Sequence, residues 1–167
     1  IMDHYRRGES VLVCCNTVQR AQTMYDHLAG QGISKWLPDL QPDGDLCLLH
    51  GRFNLKDRTA KEKWLLRRVG VGQHEGKNRR PIIMVATQVV EVSLDVDFDT
   101  LYTDPAPLEA LLQRFGRVNR GRGANTLLRD VHVCREPIGE KESMPYDYRL
   151  VARALEVLPT GVIDEHQ

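Results

Sequence analysis

Short apolar runs alternate with amphipathic segments along most of this chain. The runs that predict strands are residues 11–15, 46–49, 82–86, 100–103 and 130–135. Apolar residues at helical spacing predict helices around Val18, Ala21, Tyr25 and Leu28, around Ala60, Trp64, Leu65 and Val69, and around Val151, Ala154, Leu155 and Leu158. Strands that alternate with helices predict an α/β fold in which a parallel sheet is covered on both faces.

The segment after the fourth predicted strand is the most informative part of the chain. Pro107 suits the first position of a helix, and Gly121 suits the position just after its end. The apolar residues at i, i+3, i+4 and i+7 of this helix are Leu108, Leu111, Leu112 and Phe115. We therefore predict that the core holds this stripe and that Gln113, Arg117 and Arg120 project from the opposite face.

Two motifs in this region resemble those of superfamily-two helicases and translocases. Residues 113–120, QRFGRVNR, resemble the signature Q-R-x-G-R-x-x-R, and residues 86–95, ATQVVEVSLD, resemble the motif that this superfamily carries just upstream. Together with TDPAP at 103–107, the longer string is similar to the CRISPR-associated helicase-nuclease of type I systems. Ser93 and Gln113 favour that branch, because other members usually have glycine at the first position and many have histidine at the second.

An earlier segment adds to the resemblance. Residues 50–53, HGRF, with Asp57 and Arg58 just after them, are similar to the CRISPR helicase pattern, which often has serine in place of the glycine. By that resemblance, Arg52 contacts the nucleic-acid strand. We interpret His50 as structural, because a lone histidine at a strand end is more often so.

Asn16 and Thr17 lie where the first predicted strand gives way to a helix. Either residue can cap that helix. At such a turn they can also offer side chains and N–H groups to a phosphate, and both interpretations stay open. Trp36 follows in a loop that contains two prolines, and we expect it to fold back onto the core rather than stack on a base.

Composition limits the class of protein. At 167 residues the chain is about one domain, long enough for a real core. Its 23 basic and 23 acidic residues exclude a globally basic nucleic-acid binder but allow a local basic groove. The four cysteines show no C-x-x-C spacing, and Cys14 and Cys47 lie in predicted strands, which favours buried reduced thiols in a cytoplasmic protein. The sequence has no signal peptide or membrane-length apolar segment, and its start at Ile1 suggests a piece of a larger protein.

The sequence lacks parts that a complete nucleotide-driven motor needs. These are a backbone cradle with a lysine for the phosphates, a carboxylate for magnesium and a residue that orients water. Gly76-Lys77 invites comparison with a phosphate loop, but Val71 and Asn78 break the spacing G-x-x-x-x-G-K-[ST]. No Asp-Glu pair ends an apolar strand, and the six histidines are scattered without a His-Asp dipeptide. We therefore predict no metal site, and no ATP turnover by this chain alone.

The resemblance implies that residues 1–167 form the second, C-terminal RecA-like lobe of a motor. Its expected fold is a three-layer α/β sandwich with a mainly parallel central sheet and helices on both faces. Such a lobe completes an ATP site in which the first lobe of the parent chain holds most of the nucleotide and its Mg²⁺. By resemblance, Arg117 and Arg120 reach the phosphates and Gln113 helps to sense them, while Asp95 contacts the nucleotide or orients the arginines. The implied contacts with a single DNA strand are Asn16, Thr17, Arg52, Thr87 and Gln88.

The implied function is ATP-dependent movement along single-stranded DNA in CRISPR interference, an antiviral defence. The expected partners are the first lobe, the single strand and the target-bound CRISPR surveillance complex, in the cytoplasm and without a membrane. A superfamily-two RNA helicase lobe stays open as an alternative, because contacts with a nucleic-acid backbone discriminate little between DNA and RNA. A second alternative is a non-catalytic RecA-like module that docks a partner protein. The aligned Gln113, Arg117 and Arg120 argue against that module, since a scaffold does not need them.

Overall fold

The computed structural model describes residues 1–72, 79–92, 94–120, 128–135 and 139–162, apart from the side chain of Glu142. Its centre is one sheet of five parallel strands in the order β2-β3-β1-β4-β5. The strands are β1 Val11–Cys14, β2 Leu46–Leu49, β3 Ile83–Ala86, β4 Thr100–Thr103 and β5 Val131–Val133. All five predicted strands are confirmed, with ends that differ by no more than two residues.

The described part of the chain also has six helices and one 3₁₀ turn. The helices are α1 Met2–Arg6, α2 Val18–Gly30, α3 Leu55–Val69, α4 Leu108–Phe115, α5 Glu140–Ser143 and α6 Tyr148–Val157. The 3₁₀ turn is Gln88–Val90, directly after β3. Of these elements, α2, α3, the 3₁₀ turn and α4 lie between strands. Thr17 caps α2, because its side chain accepts a hydrogen bond from Arg20 N (3.2 Å), and Asn54 caps α3 in the same way.

The two faces of the sheet carry separate hydrophobic clusters because neighbouring strand residues point to opposite sides. Val11 and Val13 pack with Ala21 and Leu28 of α2 on one face. Leu12 and Cys14 pack on the other face in a cluster that includes Trp64, Leu65 and Val69 of α3. The predicted parallel sheet covered on both faces is therefore confirmed.

Trp36 belongs to the core, as expected. It is 4% exposed, and its ring centre lies 5.1 Å from that of Trp64. The thiols of Cys14 and Cys47 are free and buried, also as predicted. Among the described residues, no helix combines the length and the apolar character that crossing a membrane requires.

Helix α4 turns a different face to the core from the one that its apolar spacing predicts. Leu111 and Arg114 are fully buried and Ala110 is nearly so. Leu108 and Leu112, by contrast, are 41% and 53% exposed. The predicted core-facing stripe is therefore confirmed for Leu111 and for the partly buried phenylalanine, and it is wrong for Leu108 and Leu112. Helix α4 turns Arg114 inward because an ion pair and hydrogen bonds inside the domain satisfy its guanidinium.

The predicted end of α4 is also wrong. The helix ends at Phe115, and Gly116 caps it. Arg117 and Arg120 therefore follow the helix and do not project from it. Gly121, the predicted helix end, lies outside the described residues, as do Ser93 and loop residues 73–78 with Gly76-Lys77.

Candidate functional site

Four neighbouring strands bring the loops that follow them to one edge of the sheet. Because β2, β3, β1 and β4 are parallel neighbours, their carboxyl ends lie side by side. The hydrogen bonds between β2 and β3 continue just past the end of β3, where Thr87 N donates to Leu49 O at 3.1 Å. Asn16, Arg52 and Thr87 each lie one to three residues beyond the end of a different strand, so all three belong to this edge.

A fully buried arginine, Arg114, lies at the centre of this edge. Its Nε donates to Glu91 Oε1 at 2.8 Å. Its other hydrogen bonds reach Thr103 Oγ1 (2.7 Å), Asp104 O (3.1 Å), Asn16 Oδ1 (3.2 Å) and Tyr146 OH (3.1 Å). Burial lowers the pKa of Arg114, but attraction to Cys14, Tyr146 and Glu91 outweighs burial and raises the pKa overall. Arg114 therefore joins four loops as a permanent cation.

Arg117 is held by main-chain carbonyl groups of the turn after β3. Its Nε donates to Val90 O at 2.9 Å, and its Nη2 donates to Glu91 O at 2.8 Å. Burial, followed by the nearby charge of Arg120, lowers the pKa of Arg117. An arginine nevertheless stays protonated in proteins. Carbonyl groups carry no net charge, so they orient this half-buried guanidinium without neutralising it.

Arg120 lies in the turn that follows and pairs with the acidic loop before β4. Its Nη1 is 2.9 Å from Asp95 Oδ1, and the two side chains are 45% and 69% exposed. Its main-chain N donates to Asp97 Oδ1 at 2.8 Å. Asn119 has a φ of 61°, a left-handed conformation that asparagine tolerates well. The pair with Asp95 therefore orients Arg120 while leaving it accessible to another anion.

Gln113 and Asp95 complete the set that the sequence predicts on the nucleotide side. Gln113 is exposed on α4, in the last turn of the helix before Arg117. Asp95 is exposed in the loop before β4 and contacts Arg120 directly. The structure thus brings Asp95 and Arg120 together. Gln113 lies in the last turn of α4, and Arg117 lies in the turn that follows the helix.

Asn16 joins the loops at this edge and is only 2% exposed. Its Nδ2 donates to Pro105 O at 2.7 Å, and its Oδ1 accepts a hydrogen bond from Arg114. Gln88 Nε2 donates to Asn16 O at 2.7 Å, which ties the turn after β3 to the loop after β1. Thr87 is also buried, at 4% exposure.

Asp104 anchors the loop after β1 to the end of β4. Arg20 forms a two-pronged pair with it, from Nε to Oδ2 (2.8 Å) and from Nη2 to Oδ1 (2.6 Å). Asn16 N donates to the same Oδ2 at 2.9 Å. Thr17, between these residues and α2, is partly exposed and acts as the helix cap. The cap interpretation of Thr17 is confirmed, and the phosphate interpretation stays a prediction.

Arg52 is exposed at the far end of the same edge, beyond β2. His50 supports its loop, because Arg52 N donates to His50 Nδ1 at 3.2 Å. The His50 ring stacks on Phe53 with centres 4.2 Å apart, and burial lowers the pKa of His50. A neutral ring has an acceptor nitrogen for this hydrogen bond. His50 therefore has the structural role that its position predicts.

One group of metal-ligand types lies away from this edge, near the start of β5. His4, Asp130 and His132 place ligand atoms within 4.8 Å of one another. His4 Nδ1 already lies within hydrogen-bond distance of Glu9, and Arg7 Nη2 approaches the same nitrogen to 2.9 Å. With a guanidinium so close, we assign His4 to the internal hydrogen bonds of the domain.

Sequence reasoning missed three residues that organise the site. Arg114 and Glu91 both lie inside the quoted motifs, so membership of those motifs was the available signal. Tyr146 has no such signal, because nothing in its local sequence connects it with Arg114, which lies 3.1 Å away. Its role depends on a contact between segments 32 residues apart.

Comparison with known proteins points to one family. A sequence model described as CRISPR-associated nuclease/helicase Cas3, C-terminal, matches residues 7–123. The chain is 44% identical over 113 residues to the CRISPR-associated endonuclease/helicase Cas3 of Escherichia coli strain K12, an alignment that covers 68% of this chain and 12% of that protein.

Solved structures give the same result. The crystal structure of T. fusca Cas3-ATP matches with a TM-score of 0.73 and 30% identity, over 92% of this chain and 18% of that one. A chain of a CRISPR RNA-guided surveillance complex, pre-nicking, matches with a TM-score of 0.56 and 32% identity, over 90% of this chain and 17% of that one. The predicted RecA-like α/β fold is confirmed, and the chain spans less than a fifth of each of these relatives.

Proposed function

Because this chain belongs to the family of the C-terminal domain of the CRISPR-associated nuclease/helicase Cas3, we propose that it is the second motor lobe of an ATP-dependent DNA translocase. In this proposal the full-length protein is a helicase that moves along single-stranded DNA in CRISPR interference, an antiviral defence in the cytoplasm. The surveillance complex is its partner, in line with the similarity to a chain of such a complex.

The arrangement of Arg117 supports this function best. Its guanidinium is fixed by two neutral carbonyl groups, those of Val90 and Glu91, at the carboxyl edge of a parallel sheet. A structural arginine is usually paired with a carboxylate, as Arg114 is with Glu91. A cation that is oriented but not neutralised suits a site where negative charge arrives from outside, such as the phosphates of a nucleotide.

The residues present fit half of an ATP site. Arg117 and Arg120 stabilise charge on the phosphoryl group that is transferred, and Gln113 senses the phosphates. Asp95 holds Arg120 in place until the nucleotide competes for it, since their pair is exposed. ATP with Mg²⁺ supplies the free energy for movement, and in our proposal the first lobe holds most of both, because this sequence has no phosphate loop.

The strand contacts lie along the same edge. We assign Thr17 and Arg52, which reach solvent, to the phosphates of a single DNA strand. Asn16, Thr87 and Gln88 complete this surface. The bonds from Gln88 to Asn16 O and from Thr87 N to Leu49 O fix the loops that approach the strand. Closing and opening of the cleft between the lobes then moves these contacts relative to those of the first lobe.

Arg117→Ala in the full-length protein tests the proposal. We expect ATP turnover stimulated by single-stranded DNA to fall by about 10³-fold or more, the effect of losing an arginine finger. Affinity for the strand should stay unchanged, and Arg153→Ala, an exposed change on α6, should alter neither quantity. A parallel loss of strand affinity would show that Arg117 serves the nucleic acid instead, and normal turnover would refute its role in the ATP site.

A further inference from the structure

Tyr146 contacts both members of the buried ion pair of Arg114 and Glu91. It lies outside residues 7–123, the part of the chain that the family model matches. It lies in the connection between α5 and α6. Its hydroxyl accepts a hydrogen bond from Arg114 Nη2 (3.1 Å) and makes a longer contact, 3.4 Å, as donor to Glu91 Oε1. One hydroxyl group therefore touches both members of the pair.

The ring and the hydroxyl of Tyr146 have separate roles. The ring packs on a small cluster that contains Ala106, Ala110 and Leu111. A phenylalanine would keep this packing but could not accept from Arg114 or donate to Glu91. Burial raises the pKa of Tyr146, so the hydroxyl keeps its proton and remains a donor at neutral pH.

Glu91 carries the effect of Tyr146 to Arg117. Its carboxylate receives the hydrogen bonds of Arg114 and Tyr146, while its main-chain carbonyl accepts from Arg117 Nη2 at 2.8 Å. The two groups belong to one residue, so the anchored carboxylate limits where the carbonyl that orients Arg117 can lie.

The turn that carries Glu91 has little structure of its own to resist such a shift. The 3₁₀ turn Gln88–Val90 is three residues long. Its main-chain bonds are Val90 N to Thr87 O (3.4 Å) and Glu91 N to Gln88 O (3.0 Å), and the first is longer than a typical N–H···O bond. Side-chain anchors therefore help to decide where its carbonyl groups lie: the buried Val90, the bond from Gln88 to Asn16 and the Glu91 carboxylate.

We propose that Tyr146 is a positioning residue of the ATP site, which acts through Glu91 to aim Arg117. This inference rests on the proposed function, since it assumes that Arg117 faces the nucleotide. A misplaced arginine loses stabilisation of the transition state more than it loses binding of the ground state. Loss of the hydroxyl should therefore reduce kcat and leave KM for ATP nearly unchanged.

The test compares Tyr146→Phe with Tyr148→Phe in the full-length protein. Tyr148 is 40% exposed at the start of α6 and serves as the matched control. For Tyr146→Phe we expect kcat to fall about tenfold, because an Arg117 that is less well aimed stabilises the transition state less. KM for ATP and affinity for single-stranded DNA should stay within about twofold. Tyr148→Phe should match the unchanged protein.

Two results would overturn the inference. One is a kcat for Tyr146→Phe equal to that of Tyr148→Phe, which would leave the hydroxyl without a part in turnover. The other is a parallel change in kcat, KM and strand affinity that follows the fraction of folded protein, which would make Tyr146 merely structural. Arg117→Ala in the same assay separates the two proposals. If Arg117→Ala abolishes turnover and Tyr146→Phe does not alter it, only the role of Tyr146 fails.

Discussion

Arg114 Nε lies 2.8 Å from Glu91 Oε1, and their side chains are only 1% and 11% exposed. The pair joins α4 to the turn after β3, the two segments whose motifs resemble those of helicases. A buried ion pair is a weak source of net stability, because both charges lose their water. Its value here is geometric, since the same Glu91 also holds Arg117 through its carbonyl group.

The first prediction concerns the stability cost of breaking this pair. Glu91→Ala leaves the buried charge of Arg114 without its carboxylate, so the free energy of unfolding should fall by about 3–5 kcal/mol. Urea unfolding of this chain measures the change. The matched control is Glu156→Ala, which breaks the exposed pair with Arg153 and should cost less than about 1 kcal/mol. If the free energy of unfolding fell equally in the two variants, the buried pair of Arg114 and Glu91 would matter no more for stability than an exposed pair, which would contradict this prediction.

Local sequence predicted the strands of this domain well and the orientation of α4 poorly. The strands repeat short apolar runs, and such runs are buried on both faces of a parallel sheet. In α4, the apolar pattern assigned Leu108 and Leu112 to the core and left Arg114 out of it. Arg114 is inside because Glu91 and Tyr146, 23 and 32 residues away, satisfy its guanidinium. A pattern of apolar residues holds no information about such distant partners.

For the candidate site, the sequence likewise predicted where residues lie but not the hydrogen bonds that they make. Arg52 and Asn16 could be placed at the carboxyl edge because each follows a predicted strand, and the topology of a parallel sheet does the rest. The hydrogen bonds that bury Asn16 could not be foreseen, since they depend on Pro105 and Arg114 from other loops. The motifs marked Arg117 and Arg120 as candidate nucleotide contacts. Only the structure shows that both residues lie after the end of α4.

The second prediction is that this chain alone releases no phosphate from ATP, with or without single-stranded DNA. Its sequence has no phosphate loop and no Asp-Glu pair at a strand end, so in our proposal it supplies arginines to the nucleotide but no cradle for the phosphates. Phosphate release by the purified chain measures this. A chain with Arg117→Ala, purified in parallel, reports any contaminating ATPase. Stoichiometric turnover that disappears in the Arg117→Ala chain would overturn the half-site arrangement.

The third prediction concerns Arg52 and the nucleic acid. If Arg52 contacts one phosphate of the strand, Arg52→Ala in the full-length protein should weaken binding to a similar extent for every base sequence. The slope of log affinity against log salt concentration should also become shallower by about 0.7, the value for one lost contact with a single strand. Titrations of labelled DNA at several salt concentrations measure both quantities. Arg153→Ala is the control, and an unchanged slope for Arg52→Ala would remove Arg52 from the strand surface.

The last prediction is that this chain loses stability steeply in alkali. Burial raises the pKa of Cys14 and Cys15 to about 12 and that of Cys47 to about 11. Unfolded thiols ionise near pH 9 while the folded thiols stay neutral, so the free energy of unfolding should fall between about pH 9 and pH 11, by up to about 1.4 kcal/mol per pH unit for each thiol. Urea unfolding across this range measures the slope. Cys47→Ala should lower stability at neutral pH through the cavity it leaves, yet reduce the slope in alkali, because one ionising group is gone. A slope identical to that of the unchanged chain would contradict the assignment of the alkaline loss to buried thiols.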